Sequence, residues 1–241
     1  MSAQFYNALR QTTRGRRVCY NRQIMSIEMI LLASNSPRRK QLLALAGWPY
    51  RIQPADVDET PLPGEPAEAY VLRLAESKAR AAAGSAEDGL VLAADTTVVD
   101  AGAILGKPND ADQARAMLWQ LRGHTHQVLT ALAVLQSHTD RLLTDVCATD
   151  VPMRAYTEAE IEAYVASGDP LDKAGAYAIQ HAGFHPVESL AGCYANVVGL
   201  PLCHLVRTLR KLGLLPRADL PQACQAALGY QCPIYEQILV S

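Results

Sequence analysis

The sequence has no apolar run approaching the roughly eighteen residues that a membrane-crossing helix needs, so a chain without a membrane span is expected. It has no excess of charge: 22 Lys and Arg stand against 24 Asp and Glu, a formal net charge of -2. Near-neutrality excludes the broad basic surface of a general nucleic-acid binder or of a protein held on anionic lipid. There is no C-x-x-C pair. Cys19, Cys147, Cys193, Cys203, Cys224 and Cys232 lack zinc-ligand spacing and are too sparse for a disulfide scaffold, which points to a reduced, cytoplasmic protein. No G-x-x-x-x-G-K-[ST] occurs, so this is not a P-loop protein. Internal repeats and low-complexity tracts are absent as well.

What remains is an ordinary globular composition, 49% hydrophobic and 19% charged over 241 residues, enough for one α/β domain of two lobes or for two small domains. Residues 1–28 stand apart, with Arg10, Arg14, Arg16, Arg17 and Arg22 against the single acid Glu28. No apolar stretch there suits a secretory signal; a disordered tail, a start set upstream of Met25 or Met29, and an Arg-rich transit peptide are the readings its composition allows. Deleting residues 1–24 is expected to leave folding and activity unchanged. Residues 29–215 are read as the main domain, and 216–241 as a tail without a motif.

Strand and helix patterns alternate along the main domain, which argues for an α/β fold. A strand ending at Ala33 leads into a helix from Pro37 to Ala46, stopped by Gly47, and a short strand follows near Tyr50–Gln53. A Pro- and acid-rich loop, ADVDETPLPGEP, precedes a helix from Pro66 to Ala83. LVLAAD reads as a central strand, TTVVDAGAILGKP as a hairpin turning at Asp100–Gly102, and 110–122 as a helix. Two long strands, HQVLTALAVLQ and RLLTDVCATDVPMRAY, are joined through SHTD. Thr157 and Glu160 have capping-box spacing, and a last helix puts Leu202, Leu205, Val206, Leu209 and Leu212 on one face.

The stretch SNSPRRK poses a question of charge. Ser36 suits an N-cap and Pro37 the first helical position. Arg38, Arg39 and Lys40 therefore fall in the first turn, where each cation opposes the helix dipole by roughly 0.3–1 kcal/mol. A bound polyanion would reverse that sign, since a helix N-terminus with added guanidinium groups is an anion site. Solvated or ion-paired arginines explain the stretch too, and Ser-Pro-Arg-Arg also resembles short motifs that bind the DNA minor groove, though those sit in disordered tails. If the cations serve a ligand, Arg39→Ala should leave the free fold no less stable.

Lys78 falls on the apolar stripe of its helix with Val71 and Leu74; it either snorkels to water or is aimed at phosphate. Asp95 closes the apolar run Leu90–Ala94, and ligands of open α/β sheets bind beyond the carboxyl ends of strands. Asp56, Asp58 and Glu59 crowd the preceding loop and, with Asp95, offer the hard oxygens that Mg2+ takes. Lys107 adds a cation at the hairpin's end. Cations for phosphate and acids for a metal are the equipment for attack on a phosphoanhydride. His124 and His126 are two apart, but with no third ligand nearby they are read as strand-start histidines rather than a metal pair.

ASNSPRRKQLLALAG, DVDET, AESKA, LAADTTVV, LGKP, SGDPLDKAGAYAIQ and NVVGLPL occur in the order seen in the Maf family of nucleoside triphosphate pyrophosphatases, and the resemblance spans about residues 30–213. AGAYAIQ is similar to the branch acting on dTTP and UTP. The resemblance implies a mixed central sheet flanked by helices, with two lobes around a nucleotide-binding cleft as in inosine triphosphate pyrophosphatases, and often a homodimer. It implies hydrolysis between the α- and β-phosphates with a divalent cation, Mg2+ first and Mn2+ or Co2+ as alternatives, acting on small nucleotides with no nucleic-acid or membrane partner. The general base falls on Asp95, the acid near the metal on Glu59 beside Asp95, and phosphate binding on Ser34, Arg38, Arg39, Lys78 and Lys107. Positions linked to base choice fall on Arg38, Thr96 and Gln180. His181 stands where the family has Gly, and Cys193 and Ala195 where serines are usual; these departures lie near the implied base pocket. A nucleotide-binding regulator of septum formation with little hydrolysis is the alternative that the resemblance carries.

Overall fold

The computed structural model describes residues 29–84, 89–216 and 218–240; the readings of the basic leader at 1–28 lie outside the described residues. The strands are β1 (Ile30–Leu32), β2 (Tyr50–Ile52), β3 (Leu90–Asp100), β4 (Ala103–Leu105), β5 (Thr125–Gln136) and β6 (Arg141–Pro152). They form one mixed sheet in the order β2-β1-β3-β5-β6, with β4 paired to β3. β1 runs parallel to β2 and β3, whereas β5 is antiparallel to both of its neighbours, β3 and β6. The helices are α1 (Pro37–Ala44), α2 (Ala67–Ala83), α3 (Ala111–Leu121), α4 (Glu158–Ala166), α5 (Tyr194–Val198), α6 (Leu202–Arg210), α7 (Leu220–Leu228) and α8 (Tyr235–Val240).

Local chemistry explains most boundaries. The Ser36 hydroxyl accepts from the Arg39 N–H, with Pro37 in the first turn of α1. Leu45 and Ala46 belong to tighter closing turns rather than to α1 itself, and Gly47 follows at φ 68. Asp110 caps α3 by accepting from Gln113 N at 2.8 Å. The capping box of α4 forms in both directions between Thr157 and Glu160. The β3–β4 hairpin turns where expected. Asp100 pairs with Ala103 across Ala101 (φ 48) and Gly102 (φ 83), and two left-handed residues are what a tight hairpin with strand-matched twist requires.

Alternation along β3 divides the core. Leu90, Leu92 and Ala94 pack with α1, α5 and α6 on one face of the sheet, while Val91 and Ala93 pack with Tyr70, Val71, Leu74 and Ala75 of α2 on the other. A further apolar cluster forms where the long strands extend past β1: Val98, Val128 and Val151 meet α3, α4 and Tyr177, making the second lobe. Between the lobes β3 passes from apolar to polar side chains, and the cleft opens there.

The residues after Pro216 carry structure that no motif announced. α7 and α8 lay Leu220, Cys224, Leu228 and Leu239 onto the α6 side of the core. The Tyr230 hydroxyl shares its one proton between the carbonyls of Leu190 (2.8 Å) and Gly192 (3.0 Å), tying the tail to the segment that enters α5. Among the described residues no helix is long and apolar enough to cross a membrane.

Candidate active site

Asp95 continues the register of Val91 and Ala93 and so faces α2. On α2, Lys78 belongs to the buried stripe that includes Val71, Leu74, Ala75 and Ala82. The two meet, Lys78 Nζ lying 2.6 Å from Asp95 Oδ1. The same ammonium lies 2.6 Å from Oε1 of Glu59, which arrives from the loop after β2. Glu59 is placed by its main chain: the Tyr70 hydroxyl donates to its carbonyl at 2.9 Å. Burial, then the charges of Asp95 and Glu59, push the Tyr70 hydroxyl up to about 12, so it stays a donor. Burial alone would raise the Glu59 carboxyl; the hydrogen bond from Lys78 and its charge, with Lys107 and Arg39, bring it below the usual range instead.

The opposite wall is the start of α1. Arg39 Nε donates to Gly199 O at 2.8 Å and Nη2 to Thr96 Oγ1 at 3.0 Å, with a longer contact of 3.4 Å from Nη1 to Ser34 Oγ. Burial, with Arg38 as a like charge, lowers the Arg39 pKa against the pull of Asp95, but a guanidinium stays charged. Here the structure corrects one expectation. Arg39 is not a cation held idle at a helix start; it joins α1, β3 and the end of α5, and the free fold uses it. Arg38 and Lys107 differ, since neither has a hydrogen-bond or ion-pair partner among the described residues although both line the cleft.

A third wall comes from the segment after α4. Gly175 sits at φ 67, and a Cβ there would lie 2.8 Å from Val98 Cγ2, so only glycine lets this chain press against β3. The turn that follows carries Tyr177 and Gln180 into the cleft. The Tyr177 hydroxyl meets His126 Nε2 at 2.8 Å. Lys173, buried nearby, donates to Asp169 Oδ1 at 3.0 Å and Asp172 Oδ1 at 2.6 Å.

The cleft encloses about 450 Å³, and Ser34, Arg38, Arg39, Glu59, Lys78, Asp95, Thr96, Lys107 and Gln180 all line it. Residues as far apart in the chain as Ser34, before α1, and Gln180, after α4, are thus brought to one surface. Sequence reasoning missed Tyr70, Lys173 and Tyr177's partner His126. The signals were faint: a Tyr at the buried edge of α2, and acids one and four residues before Lys173. His181 is not among the lining residues. Its Nδ1 accepts from Phe184 N at 3.0 Å and its ring packs on Tyr164, so it serves its own loop. Cys193 lies in the core below α5, not at the cleft. His124 pairs with Asp100 at 2.8 Å while His126 meets Tyr177, so the two histidines do not converge.

The donor chemistry suits a hard divalent cation. Glu59 and Asp95 direct carboxylate oxygens at one point, where Lys78 supplies the positive charge. Among the described residues no group of three or more His, Cys, Asp or Glu is gathered as a closed metal cage. One or two carboxylates, completed by substrate phosphate and water, is the Mg2+ pattern.

A family model described as "Maf-like protein" matches residues 29–212. A protein of Anaeromyxobacter dehalogenans named dTTP/UTP pyrophosphatase is 53% identical over 186 residues, 76% of this chain and 94% of its own length. One of the same name from a Geobacter species is 48% identical over 191 residues, 79% of this chain and 99% of that one. Another, from Myxococcus xanthus, is 48% identical over 186 residues, covering 77% and 93%.

Proposed function

This chain belongs to the Maf family, and from that footing we propose that it is a nucleoside triphosphate pyrophosphatase that hydrolyses dTTP and UTP to the nucleoside monophosphate and pyrophosphate. The observation that carries the reading is the pairing of two walls. A buried carboxylate, Asp95, faces a cleft that also presents Arg38, at the start of α1, and Lys107, in the loop after β4, neither with a hydrogen-bond or ion-pair partner among the described residues. A site that only gripped phosphate would have no use for acids placed among its cations.

In this mechanism Asp95 accepts a proton from the water that attacks the α-phosphorus, and the bond from that phosphorus to the bridging oxygen breaks as pyrophosphate leaves. Lys78 holds both carboxylates in place and keeps their mutual repulsion in check. Arg38, Lys107, the Ser34 hydroxyl and the positive pole of α1 receive the phosphate oxygens. Glu59 and Asp95 would hold the divalent cation, which supplies neutralisation of phosphate charge. Gln180 offers a donor and an acceptor to O4 and N3–H of thymine or uracil. The setting is a reduced cytoplasm, supported by five described cysteines that are all free, and the assembly implied by the resemblance is a homodimer.

The test is pyrophosphate release by the purified chain with Mg2+ over a panel of triphosphates. The expected order is dTTP and UTP best, CTP weaker, ATP and GTP weakest. A preference for GTP or a methylated GTP overturns the substrate, and tight binding without pyrophosphate release leaves the regulator as the function.

A further inference from the structure

Thr96 on β3 and Thr130 on β5 stand directly opposite each other, on the sheet face turned toward α5. Their hydroxyl oxygens are 2.9 Å apart. Which one donates is settled by their other partners. Thr130 Oγ1 lies 3.1 Å from the Asn196 carbonyl, and a carbonyl has no proton to give, so Thr130's single proton goes there. Thr96 must then donate to Thr130. In turn Arg39 Nη2 donates to Thr96 at 3.0 Å.

The far end of this relay cannot turn round. Thr130 and Asn196 are both completely buried. The acceptor at that end is the main-chain carbonyl of Asn196, which cannot become a donor, and the residue is held in place by its side-chain amide, which donates to Val128 O and Thr149 Oγ1, each at 2.9 Å. Thr96 alone of the series, besides Arg39, reaches the cleft, where it is partly exposed. A hydroxyl has one proton and two lone pairs. Thr96's proton points inward and one lone pair is taken by Arg39, so what it can turn to the cleft is a lone pair.

We propose that Thr130 is a positioning residue that holds Thr96 as an acceptor-only group toward the nucleotide, so that this point of the cleft takes a hydrogen-bond donor of the nucleoside and rejects an acceptor. The proposal rests on the pyrophosphatase reading and deepens it. Phosphate oxygens are all acceptors, so Thr96 serves the nucleoside end of the substrate although it touches Arg39. Two nucleoside groups have the required chemistry. One is the N3–H of uracil and thymine, which cytosine replaces with a lone pair and which Thr96 would then share with the Gln180 side chain. The other is a sugar hydroxyl.

The test compares kcat/KM in the full-length wild type, Thr130→Val and Thr130→Ser, for UTP against CTP and for dTTP against its 3′-deoxy analogue. Valine keeps the shape and removes the hydroxyl, which frees Thr96 to turn its proton outward; serine keeps the relay. The wild type should favour the donor-bearing nucleotide in at least one pair by about tenfold, the scale of one buried polar group left unpaired. Thr130→Val should shrink that preference about fivefold or more, and Thr130→Ser should retain it. A purely structural role lowers the melting temperature and scales every substrate alike, leaving both ratios where they were. Ratios within twofold of wild type in Thr130→Val overturn the proposal. Should that variant not fold, Thr96→Val must lose the same preference, and unchanged ratios there overturn it too. If the wild type releases no pyrophosphate from any of the four, the enzymatic reading fails, and the ratios of their dissociation constants judge the acceptor assignment separately.

Discussion

Lys78 and Asp95 meet at 2.6 Å with side chains only 11% and 9% exposed. An ion pair this short of water is asymmetric in its consequences. Removing one partner strands the other, whereas altering its charge while keeping its shape does less harm to the fold. That asymmetry allows stability and chemistry to be tested apart.

Asp95→Asn keeps the volume and an acceptor oxygen for Lys78. Turnover should fall by roughly 10²–10⁴ if Asp95 takes the water's proton, with nucleotide binding largely kept. Lys78→Met should instead lower stability by about 3–5 kcal/mol, because two carboxylates then face one another without a counter-charge. Steady-state kinetics and urea melts on both variants check this; wild-type turnover in Asp95→Asn would remove Asp95 from the mechanism.

Arg39→Ala should destabilise the nucleotide-free protein by about 2 kcal/mol, since Gly199 O and Thr96 Oγ1 lose a charged donor. The helix dipole alone gives the opposite sign, a gain of roughly 0.3–1 kcal/mol. Thermal melts without nucleotide decide which term dominates.

Mild acid should weaken the fold through two buried histidines. Burial pushes His126 and His204 down to about 4, against an ordinary value near 6.5. Between those values the unfolded chain binds more protons than the native one, so stability is whole above about pH 6.5 and is lost as pH falls toward 4. By pH 5 each histidine should account for on the order of 2 kcal/mol. Glu65 and Glu160, held near 2 first by hydrogen bonds from Arg73 and Arg154 respectively, contribute losses only at lower pH. Urea midpoints at pH 7 and pH 5 measure the difference, and His126→Asn should show about half of it.

His181→Gly should leave the ratio of kcat/KM for dTTP and UTP over CTP within about twofold of wild type, because His181 does not line the cleft. It should lower the melting temperature modestly through the lost contacts to Phe184 N and the Tyr164 ring. A changed base preference would place His181 itself in the pocket beside Gln180.

What the sequence made legible was local. The capped helix start, the hairpin at Ala101–Gly102 and the capping box each have their cause within a few residues, and each formed, whereas Asp95, expected where a strand ends, sits midway along β3, which runs on beside β5 to Asp100. The candidate cleft residues were legible because each lies in a short motif, yet nothing in those motifs said that Arg39 would be spent on Gly199, 160 positions away. Thr130 was invisible for the same reason: a threonine inside an apolar strand looks like any other until its cross-strand partner is known. α7 and α8 escaped notice because neither has the long periodic face that marked α6, and they become part of the core only by packing against it.

The cleft's charge contrasts with that of the chain around it. Arg38, Arg39, Lys78, Lys107 and Lys173 line it against Glu59, Asp95 and Asp172, while the whole protein carries a formal net charge of -2. A polyanion drifting toward this molecule therefore meets faint repulsion over most of the surface and attraction at one mouth, where low-dielectric walls focus the field. Dissolved salt shortens the reach of that field, to about 8 Å at physiological ionic strength, without greatly touching partners already within hydrogen-bonding distance. Ionic strength thus acts on capture far more than on grip, and the cell's own salt sets how far from the mouth a nucleotide begins to be drawn in.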